Sequence, residues 1–596
     1  MDTYEVASEW LAKLTSCLEQ KDACGFTSLF HSNGWLRDLL VFTWNLRTLS
    51  GHAEISKYTA ANIASTTISD LKLCSDQYFK PAPGDQPGSV SSGFTFSTSI
   101  GNGRGLFTLT QASSESGSDW KAFTLLMCLE SLKGHEPIGA EQGVYHGQSA
   151  CWSEVRENRR RATEEDLQAL IIGAGQNGLQ VAARFQQMGI PTLVVEKNAR
   201  VGDQWRKRYP TLTLHTTKQH HTMLYQPYPQ NWPRYTPRDK VADWLEQYTV
   251  SQDLLIWTNS QPLATPSYDP VTKKWTVSID RDGQIVTIHP NHIILATGTL
   301  GRPYVPDIEG RDLFKGEAFH SELYSGGSTL SGKRVVVVGT GNSGADIALD
   351  AHVRGAREVT LLQRSSTCVQ SAKTIGEMLD EVWGPEVPTE VGDFRGEAVP
   401  FKLRKQLLGE QKDVQFAKDK YIYEGLAKAG MDVNFGPDGA GLLPLVYERG
   451  GGKSFFLFTL LDIRFYVALQ DIVRMDIGCA EYIISGKIKV KSGAGIKKFS
   501  ENALVLDDGS TLEADVVVFA TGFINIRGVM KDIFGDAIDK TGSVQGLDEE
   551  GEMRGGYRST GHPGLWFAPG DFEQSRFGSR LLAIQIQALD LGYMKF

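Results

Sequence analysis

Cysteine is scarce in this chain of 596 residues, and its cysteines are not grouped. The seven of them are odd in number and widely scattered, with no Cys-x-x-Cys pair among them. A disulfide framework needs an even, regularly spaced set, and a zinc cluster needs paired ligands. The sequence therefore predicts no metal site and no disulfides, and it favours a reducing, cytoplasmic compartment.

Positive charge is not in excess either, since 61 Lys and Arg stand against 70 Asp and Glu, a net charge of −9. This balance disfavours nucleic acid or an anionic membrane surface as the main partner. Residues 1–6 are acidic and no apolar run follows them, so we expect no signal peptide. The stretch closest to membrane character, 455–473, carries three charges and is short for a span, which indicates a buried or interfacial helix and no stable membrane insertion.

The chain is too long for one hydrophobic core, and three domains of ordinary size are expected. Helical patterns at 6–18 and 53–64, followed by strand patterns at 105–110 and 120–129, predict an α+β accessory domain over 1–150. A Glu- and Arg-rich linker at 154–166 suits an exposed helix or tether. The remainder is divided into a first nucleotide-binding domain (165–325 with 515–596) and a second (326–514) that includes a lid region (380–474).

An unusually apolar segment interrupts the end of this lid. Residues 453–474 are rich in aromatic and aliphatic side chains, unlike an ordinary surface insertion. The sequence leaves two interpretations open, an inserted helix and a retained intron that was translated.

The first glycine-rich turn contains Gly173, Gly175 and Gly178 and directly follows an apolar run. A helical pattern, a second strand pattern and then Glu196 come after it. Glycines at this spacing permit a tight turn and the close approach of a pyrophosphate to a helix N-terminus, and an acid about 20 residues on accepts hydrogen bonds from a ribose. The segment is therefore a complete βαβ dinucleotide-binding unit.

The second turn, 339–344, has the same spacing: Gly339, Gly341 and Gly344 enclose Asn342 and Ser343. The returning strand is followed by Arg364, where an NAD site usually has a carboxylate. A guanidinium is suited to the 2′-phosphate of NADPH. NADPH is thus preferred over NADH, and the alternative is that Arg364 is a solvated surface arginine.

Two further segments resemble a known family. Residues 314–324 fit the FxGxxxHxxx(Y/F) fingerprint of flavin-containing monooxygenases, with His320 as its histidine. Residues 201–219, which include Gln204, Trp205, His215 and Lys218, resemble the flavin-proximal segment of the plant YUCCA group. The resemblance implies that this segment packs on the flavin ring, that FAD is the first dinucleotide and that NADPH is the second.

The same resemblance implies roles for single residues. His215 stands where mammalian-type relatives have asparagine, and it either donates a hydrogen bond to the oxygenated flavin or is structural. His320 is expected to support the domain interface and the NADPH geometry. Thr521 lies in an Ala-Thr-Gly hinge, and Asp571 precedes a helix whose N-terminus is expected at the flavin.

Residues 34–38 and 43–48 resemble the SnoaL-like cone domains that precede the monooxygenase in many fungal flavoproteins. Such cones are hollow, so Trp35, Arg37, Asp38 and Trp44 are candidates to line a ligand cavity. Core packing and one satisfied ion pair account for the same four residues equally well.

The fold class expected is α/β, a flavoprotein with two Rossmann-like dinucleotide-binding folds preceded by an α+β cone domain. The function implied is an NADPH-dependent, single-component flavin monooxygenase that inserts one oxygen atom from O2 into a small organic substrate through a C4a-(hydro)peroxyflavin. Heteroatom oxygenation, Baeyer–Villiger oxidation and oxidative decarboxylation all remain open. The alternatives are an FAD/NAD(P)H reductase or oxidase and a flavin-binding sensor or scaffold without catalysis; a homodimer is left open.

Overall fold

The computed structural model describes residues 2–112, 119–298, 300–449, 472–544 and 546–595. The inserted helix or intron hypothesised at 453–474, and the helix predicted at 455–473, lie outside the described residues except at their last positions. Those last positions begin a strand, Ile472–Asp476.

The amino-terminal domain consists of three helices and a sheet along the described part of residues 2–132. The helices are α1 (Thr3–Gln20), α2 (Ala23–Ser28) and α3 (Gly51–Asn62). The strands are β1 (Phe30–Leu39), β2 (Leu46–Ser50), β3 (Ile68–Leu73), β4 (Ala82–Pro83), β5 (Val90–Thr98), β6 (Gly101–Ala112) and β7 (Asp119–Leu132). They pair in the order β2-β1-β7-β6-β5-β3, with β4 on β5.

Aromatic side chains fill the space between α1 and this sheet. The rings of Trp10 and Phe107 lie 4.7 Å apart, and those of Phe94 and Phe107 lie 5.9 Å apart. A Cβ added at Gly105 would stand only 2.2 Å from the Phe94 ring. The glycine on β6 thus makes room for the large core side chains, and the predicted α+β character is confirmed.

The exposed helix α4 (Trp152–Glu165) confirms the predicted linker, and the first nucleotide unit follows it. Its helices are α5 (Gln176–Gln187), α6 (Asp203–Arg206) and α7 (Arg238–Ser251). Its strands are β8 (Ala169–Ile172), β9 (Thr192–Val195), β10 (Ile256–Trp257), β11 (Ser260–Pro262), β12 (Ser267–Asp269), β13 (Lys274–Arg281), β14 (Gln284–Ile288) and β15 (His292–Leu295).

The second unit and the lid come next along the chain. The second unit begins with β16 (Leu300–Pro303), β17 (Glu317–His320), β18 (Arg334–Val338), α8 (Asn342–Val353), β19 (Glu358–Gln363) and β20 (Thr367–Ser371). The lid contains α9 (Ala372–Val382), α10 (Thr389–Glu397), α11 (Phe401–Glu410), α12 (Lys412–Lys428), β21 (Val433–Asn434) and α13 (Leu442–Arg449).

The remaining elements return to both nucleotide units. They are β22 (Ile472–Asp476), α14 (Cys479–Ile484), β23 (Lys489–Ser492), β24 (Ile496–Phe499), β25 (Ala503–Leu506), β26 (Thr511–Glu513), β27 (Val516–Phe519), β28 (Phe523–Asn525), α15 (Ile526–Phe534), α16 (Asp536–Asp539), β29 (Leu565–Phe567) and α17 (Phe572–Asp590). No helix among the described residues is long and apolar enough to cross a membrane.

Two parallel sheets carry the nucleotide units. The first has the order β10-β9-β8-β15-β29 and the second β17-β27-β18-β19-β23. Strands β8, β15, β27 and β29 are buried along their whole length, which explains their continuous apolar sequences. Both sheets are Rossmann-like, as the sequence predicts.

The second sheet corrects the predicted domain division. Strands β17 and β27 pair with each other, and β27 pairs with β18, so both belong to the second nucleotide unit. The sequence placed both strands in the first unit, β17 within the family fingerprint and β27 directly before the Ala-Thr-Gly hinge. The chain therefore enters the second unit before residue 326 and leaves it after residue 515.

Candidate active site

The first glycine turn is shaped by two close backbone contacts. Gly173 has a φ of +107°, and an added Cβ there would stand 2.6 Å from the carbonyl oxygen of Ala296. A Cβ at Gly178 would stand 2.0 Å from the carbonyl oxygen of Gly173. Gly175, by contrast, directly precedes α5, and the nearest atom to an added Cβ is the Gln204 amide nitrogen at 3.6 Å. Gly175 is therefore the glycine that leaves open space at the helix N-terminus.

The second turn repeats this construction. Gly339 has a φ of +112°, and an added Cβ would stand 2.5 Å from the Ala520 carbonyl oxygen. A Cβ at Gly344 would stand 2.1 Å from the Gly339 carbonyl oxygen. Gly341 precedes α8, whose first two residues are Asn342 and Ser343. Two helix N-termini with glycine approaches are thus present, each suited to a pyrophosphate.

Asn342 has a second contact that ties the turn to the strand after the lid. Its side-chain oxygen accepts a hydrogen bond of 2.7 Å from the backbone N–H of Met475. The amide of this residue is therefore partly used to hold β22 in place.

Glu196 lies at the end of β9 and faces the first turn. One carboxylate oxygen accepts from the Ala174 N–H at 2.9 Å, and the other accepts from the Asn198 backbone and side chain at 2.9 and 2.7 Å. The carboxylate therefore bonds the turn itself, and the oxygen that accepts from Ala174 retains one site to accept from a ribose hydroxyl.

Two helix N-termini converge at this turn. The side-chain amide of Asn177, in the first turn of α5, donates to the carbonyl oxygens of Ala568 and Gly570 at 3.1 and 2.9 Å. Asp571 caps α17 by accepting from the Gln574 N–H at 3.1 Å. The start of α17 is thus fastened beside the start of α5, where its partial positive charge favours an anionic ligand.

His215 links the two nucleotide units. Its Nε2 lies 3.4 Å from a carboxylate oxygen of Asp346 on α8, and the Tyr209 hydroxyl donates to the same oxygen at 2.5 Å. The segment predicted to pack on the flavin is therefore joined to the helix of the second unit. Sequence reasoning missed Asp346, although a carboxylate two residues after a glycine turn is a visible signal.

Both ring nitrogens of His320 are occupied. Nε2 lies 3.0 Å from the Gly522 carbonyl oxygen, and Nδ1 accepts from the Glu322 N–H at 3.1 Å. This tautomer is neutral, and burial lowers the pKa of the His320 imidazole below its usual value. The histidine therefore joins β17 to the Ala-Thr-Gly hinge.

Two side chains that were predicted to contact a cofactor donate hydrogen bonds to carbonyl oxygens of the protein. The Lys218 ammonium donates to the carbonyl oxygens of Gln230 and Trp232 at 2.8 and 3.3 Å. The Thr521 hydroxyl donates to the Tyr304 carbonyl oxygen. Both side chains therefore fix neighbouring loops, and their contact with a cofactor stays a prediction.

Arg364 is exposed directly after β19, on the side of the second sheet where the glycine turn lies. Ser366 accepts a hydrogen bond of 2.8 Å from the Asn434 side chain. The position is the one that the adenosine ribose of a dinucleotide reaches in this fold.

Comparisons with known proteins match this arrangement. A profile of the pyridine nucleotide-disulphide oxidoreductase family matches residues 170–386. The probable indole-3-pyruvate monooxygenase YUCCA3 of Arabidopsis thaliana is 30% identical over 370 residues, which are 61% of this chain and 75% of YUCCA3. The chain belongs to the YUCCA-like family of flavin monooxygenases. It is accordingly an oxidoreductase that uses FAD and NADPH and inserts one oxygen atom.

Further known proteins are also similar to this chain. Indole-3-pyruvate monooxygenase YUCCA1 of Oryza sativa subsp. japonica is 26% identical over 63% of this chain and 81% of its own. Among solved structures, a flavin-containing monooxygenase from Stenotrophomonas maltophilia has 17% identity and a TM-score of 0.46, covering 71% of this chain and 98% of that one. OTEMO in complex with FAD and NADP has 18% identity and a TM-score of 0.47, covering 72% and 86%. The family assignment rests on the sequence relatives.

Buried polar atoms without partners indicate whether the residues of this YUCCA-like chain suit a bound FAD. Among the described residues, several buried side-chain atoms in the first turn, in the segment 204–220 and at Thr297 have no hydrogen-bond partner. They are both amide atoms of Gln204, Trp205 Nε1, Thr217 Oγ1, Gln219 Oε1, His220 Nδ1, Asn177 Oδ1 and Thr297 Oγ1. Buried polar groups are normally satisfied, so a cluster of this size indicates a polar ligand. The residues present therefore fit the flavin dinucleotide.

Further residues of this region have no local sequence signal. Arg576 on α17 pairs with Asp393 of the lid, and its Nη1 donates to the carbonyl oxygens of His220 and Thr222 at 2.6 and 2.7 Å. Glu573, also on α17, is buried, and burial with nearby carboxylates raises the pKa of its carboxyl group well above the usual value. Only the folded chain brings these residues together.

Proposed function

We propose that FAD is held by the first nucleotide unit and NADPH by the second. The pyrophosphate of FAD lies at Gly173, Gly175 and Gly178, where α5 and α17 begin. Glu196 accepts hydrogen bonds from the adenosine ribose while it keeps its bond to Ala174. The open approach at Gly175 and the paired helix N-termini support this assignment.

The segment 204–220 surrounds the flavin ring in this proposal. Gln204, Trp205 and His220 each have a buried polar atom without a partner among the described residues, and these atoms hydrogen-bond the flavin. Burial lowers the pKa of the His220 imidazole, so its neutral form presents one donor and one acceptor. When bound, FAD accepts hydride from NADPH and activates O2.

NADPH occupies the second turn, with its pyrophosphate at Gly339, Gly341 and Gly344 and the N–H groups of Asn342 and Ser343. Arg364 contacts the 2′-phosphate and gives the preference over NADH. His215 and His320 are positioning residues: the first ties the flavin segment to Asp346 on α8, and the second ties β17 to the hinge. The lid helix α10, which is buried at Val391–Phe394, keeps water from the flavin.

The substrate is a small organic molecule. The relatives named indole-3-pyruvate monooxygenases make a 2-oxo acid the first substrate to test, followed by a cyclic ketone and a sulfide. The amino-terminal domain has the SnoaL-like type of fold, supported by its mixed sheet of order β2-β1-β7-β6-β5-β3 and its three helices. Free cysteines at seven positions support a reducing, cytoplasmic location.

The single observation that carries the proposal is the set of unpartnered buried polar atoms in the first turn and the segment 204–220, in a chain whose two glycine turns have the same construction. The test is anaerobic reduction of the purified flavoprotein with NADPH and separately with NADH, followed by admission of oxygen. We expect faster reduction by NADPH and a transient spectrum between the oxidised and reduced flavin bands. A bound flavin that neither nucleotide reduces would indicate a sensor or scaffold and overturn the proposal.

A further inference from the structure

We propose that the amino-terminal domain supports the lid, and that Arg37 is a positioning residue which fastens helix α10 over the active site. The inference rests on the proposed location of FAD beneath this helix. It assigns the amino-terminal domain a mechanical role in the monooxygenase and not a ligand site of its own.

Arg37 lies on β1 but bonds two other parts of the chain. Its Nε and Nη2 donate to the two carboxylate oxygens of Glu552 at 2.7 and 2.8 Å. Its Nη1 donates to the backbone oxygen of Glu397 at 2.6 Å and also to the Glu397 carboxylate. Glu397 is the last residue of α10. One guanidinium thus joins the amino-terminal domain, the segment before β29 and the C-terminal end of the lid helix.

The amino-terminal domain contacts α10 through further side chains. The rings of Phe79 and Phe394 meet edge to face at 5.6 Å, and the Arg104 guanidinium lies over both rings. Arg395 donates to the carbonyl oxygen of Tyr78. Successive residues of the helix therefore contact the amino-terminal domain, through apolar, cationic and hydrogen-bonded pairs.

Helix α10 also contacts the carboxy-terminal helix α17 and, through it, the segment proposed to surround the flavin. Asp393 pairs with Arg576 on α17, and Arg576 also bonds the carbonyl oxygens of His220 and Thr222. A continuous set of contacts therefore runs from Arg37 through α10 to the segment proposed to surround the flavin. A shift of α10 would disturb Asp393 and, through Arg576, that segment.

The candidate cavity residues Asp38 and Trp44 of the amino-terminal domain already have hydrogen-bond partners in the protein. Asp38 points away from Arg37, as expected for neighbours on a strand, and it accepts from Tyr58, Val41 and Phe42. Trp44 donates to the Tyr593 carbonyl oxygen at 3.0 Å. Arg37 thus forms its ion pairs with Glu552 and Glu397 outside this domain, whereas Asp38 is hydrogen-bonded within it.

The test measures hydrogen–deuterium exchange in the FAD-loaded full chain. Arg37→Ala should raise the exchange rate of α10 amides about tenfold or more and leave α5 and α8 unchanged, because local openings are governed by local contacts. Glu397→Gln removes the charge at the lid and leaves Glu552 in place, so it should raise exchange in the last turn of α10 alone.

Arg47→Ala is the matched control. Arg47 pairs with Glu550 at the same domain interface, and its described partners do not include α10. We expect α10 exchange within about twofold of the parent protein. If Arg47→Ala raises α10 exchange as much as Arg37→Ala does, any weakening of the domain interface loosens the helix, and the proposal is overturned. If Arg37→Ala does not raise α10 exchange, Arg37 does not support the helix, and the proposal is overturned as well.

A second readout separates positioning from folding. Without substrate, Arg37→Ala should release hydrogen peroxide about fivefold faster, with flavin reduction by NADPH unchanged, because water reaches the flavin more easily. If Arg37→Ala does not fold, Arg37→Lys and Glu397→Gln carry the test, and wild-type exchange in both contradicts the inference. If NADPH does not reduce the flavin, the proposed function is refuted. The exchange rates of α10 still test the role of Arg37, because they do not depend on catalysis.

Discussion

Arg576 and Asp393 form a buried, bidentate ion pair, with nitrogen–oxygen distances of 2.9 and 2.7 Å, although 183 residues separate them in sequence. The Trp383 indole donates to the same carboxylate at 2.8 Å. The pair joins the lid to the helix whose N-terminus lies at the first glycine turn. The pair therefore fastens the lid to the first nucleotide unit.

We expect Asp393→Asn to be strongly destabilising, because it leaves the Arg576 charge buried without a carboxylate. Breaking one partner of a buried ion pair costs about 3–5 kcal/mol. The measurement is the urea unfolding midpoint followed by flavin fluorescence. Glu381→Gln, at an exposed position of α9, is the control and should change stability by less than about 0.5 kcal/mol. Equal midpoints for both variants would contradict the prediction.

The glycines of the first turn should respond differently to alanine. Gly178→Ala places a Cβ 2.0 Å from the Gly173 carbonyl oxygen, whereas the nearest atom to a Cβ at Gly175 is 3.6 Å away. Overpacking of this kind costs about 1–3 kcal/mol, so Gly178→Ala should lower both the melting temperature and the flavin content. Gly175→Ala should keep the melting temperature of the flavin-free protein and lose flavin affinity, which equilibrium dialysis measures. Normal flavin binding by Gly175→Ala would show that the pyrophosphate does not approach there.

Nucleotide preference should depend on Arg364. Loss of charge-assisted hydrogen bonds to a phosphate costs about 1.5–3 kcal/mol, so Arg364→Ala should raise the KM for NADPH roughly tenfold to a hundredfold. The KM for NADH should change little, because NADH lacks the 2′-phosphate. Arg357→Ala, at the opposite end of β19, provides an exposed control with an unchanged ratio of the two KM values. A parallel rise for both nucleotides would refute this role.

The glycine turns, their flanking strands and Glu196 were predictable because each signal lies within a short stretch of chain. The bonds that Lys218 and Thr521 make to carbonyl oxygens were not predictable, since those oxygens belong to other loops of the fold. Strands β17 and β27 were placed in the wrong unit for a related reason: their pairing is non-local. Arg37 shows the same limit, because its partners lie about 360 and 515 residues away.

Acid stability should depend on His562, which stacks on Trp275 with ring centroids 5.0 Å apart. Its Nδ1 accepts from the Gly564 N–H at 3.1 Å, and burial lowers the pKa of the imidazole to about 4. Below its ordinary pKa of about 6.5, the unfolded chain binds a proton that the folded chain does not, so stability is full above that pH and falls as the pH approaches the folded value. At pH 5 the loss from this residue is about 2 kcal/mol.

The variant His562→Asn keeps an acceptor for the Gly564 N–H and does not titrate. Its stability difference between pH 7.5 and pH 5, measured as urea midpoints, should therefore be smaller than that of the parent protein by about 1–2 kcal/mol. His289→Asn alters an exposed histidine of the neighbouring sheet and is expected to keep the parent pH dependence. If His562→Asn also keeps the parent pH dependence, the His562 imidazole has the same pKa in the folded and the unfolded chain. Other groups would then cause the loss of stability in acid.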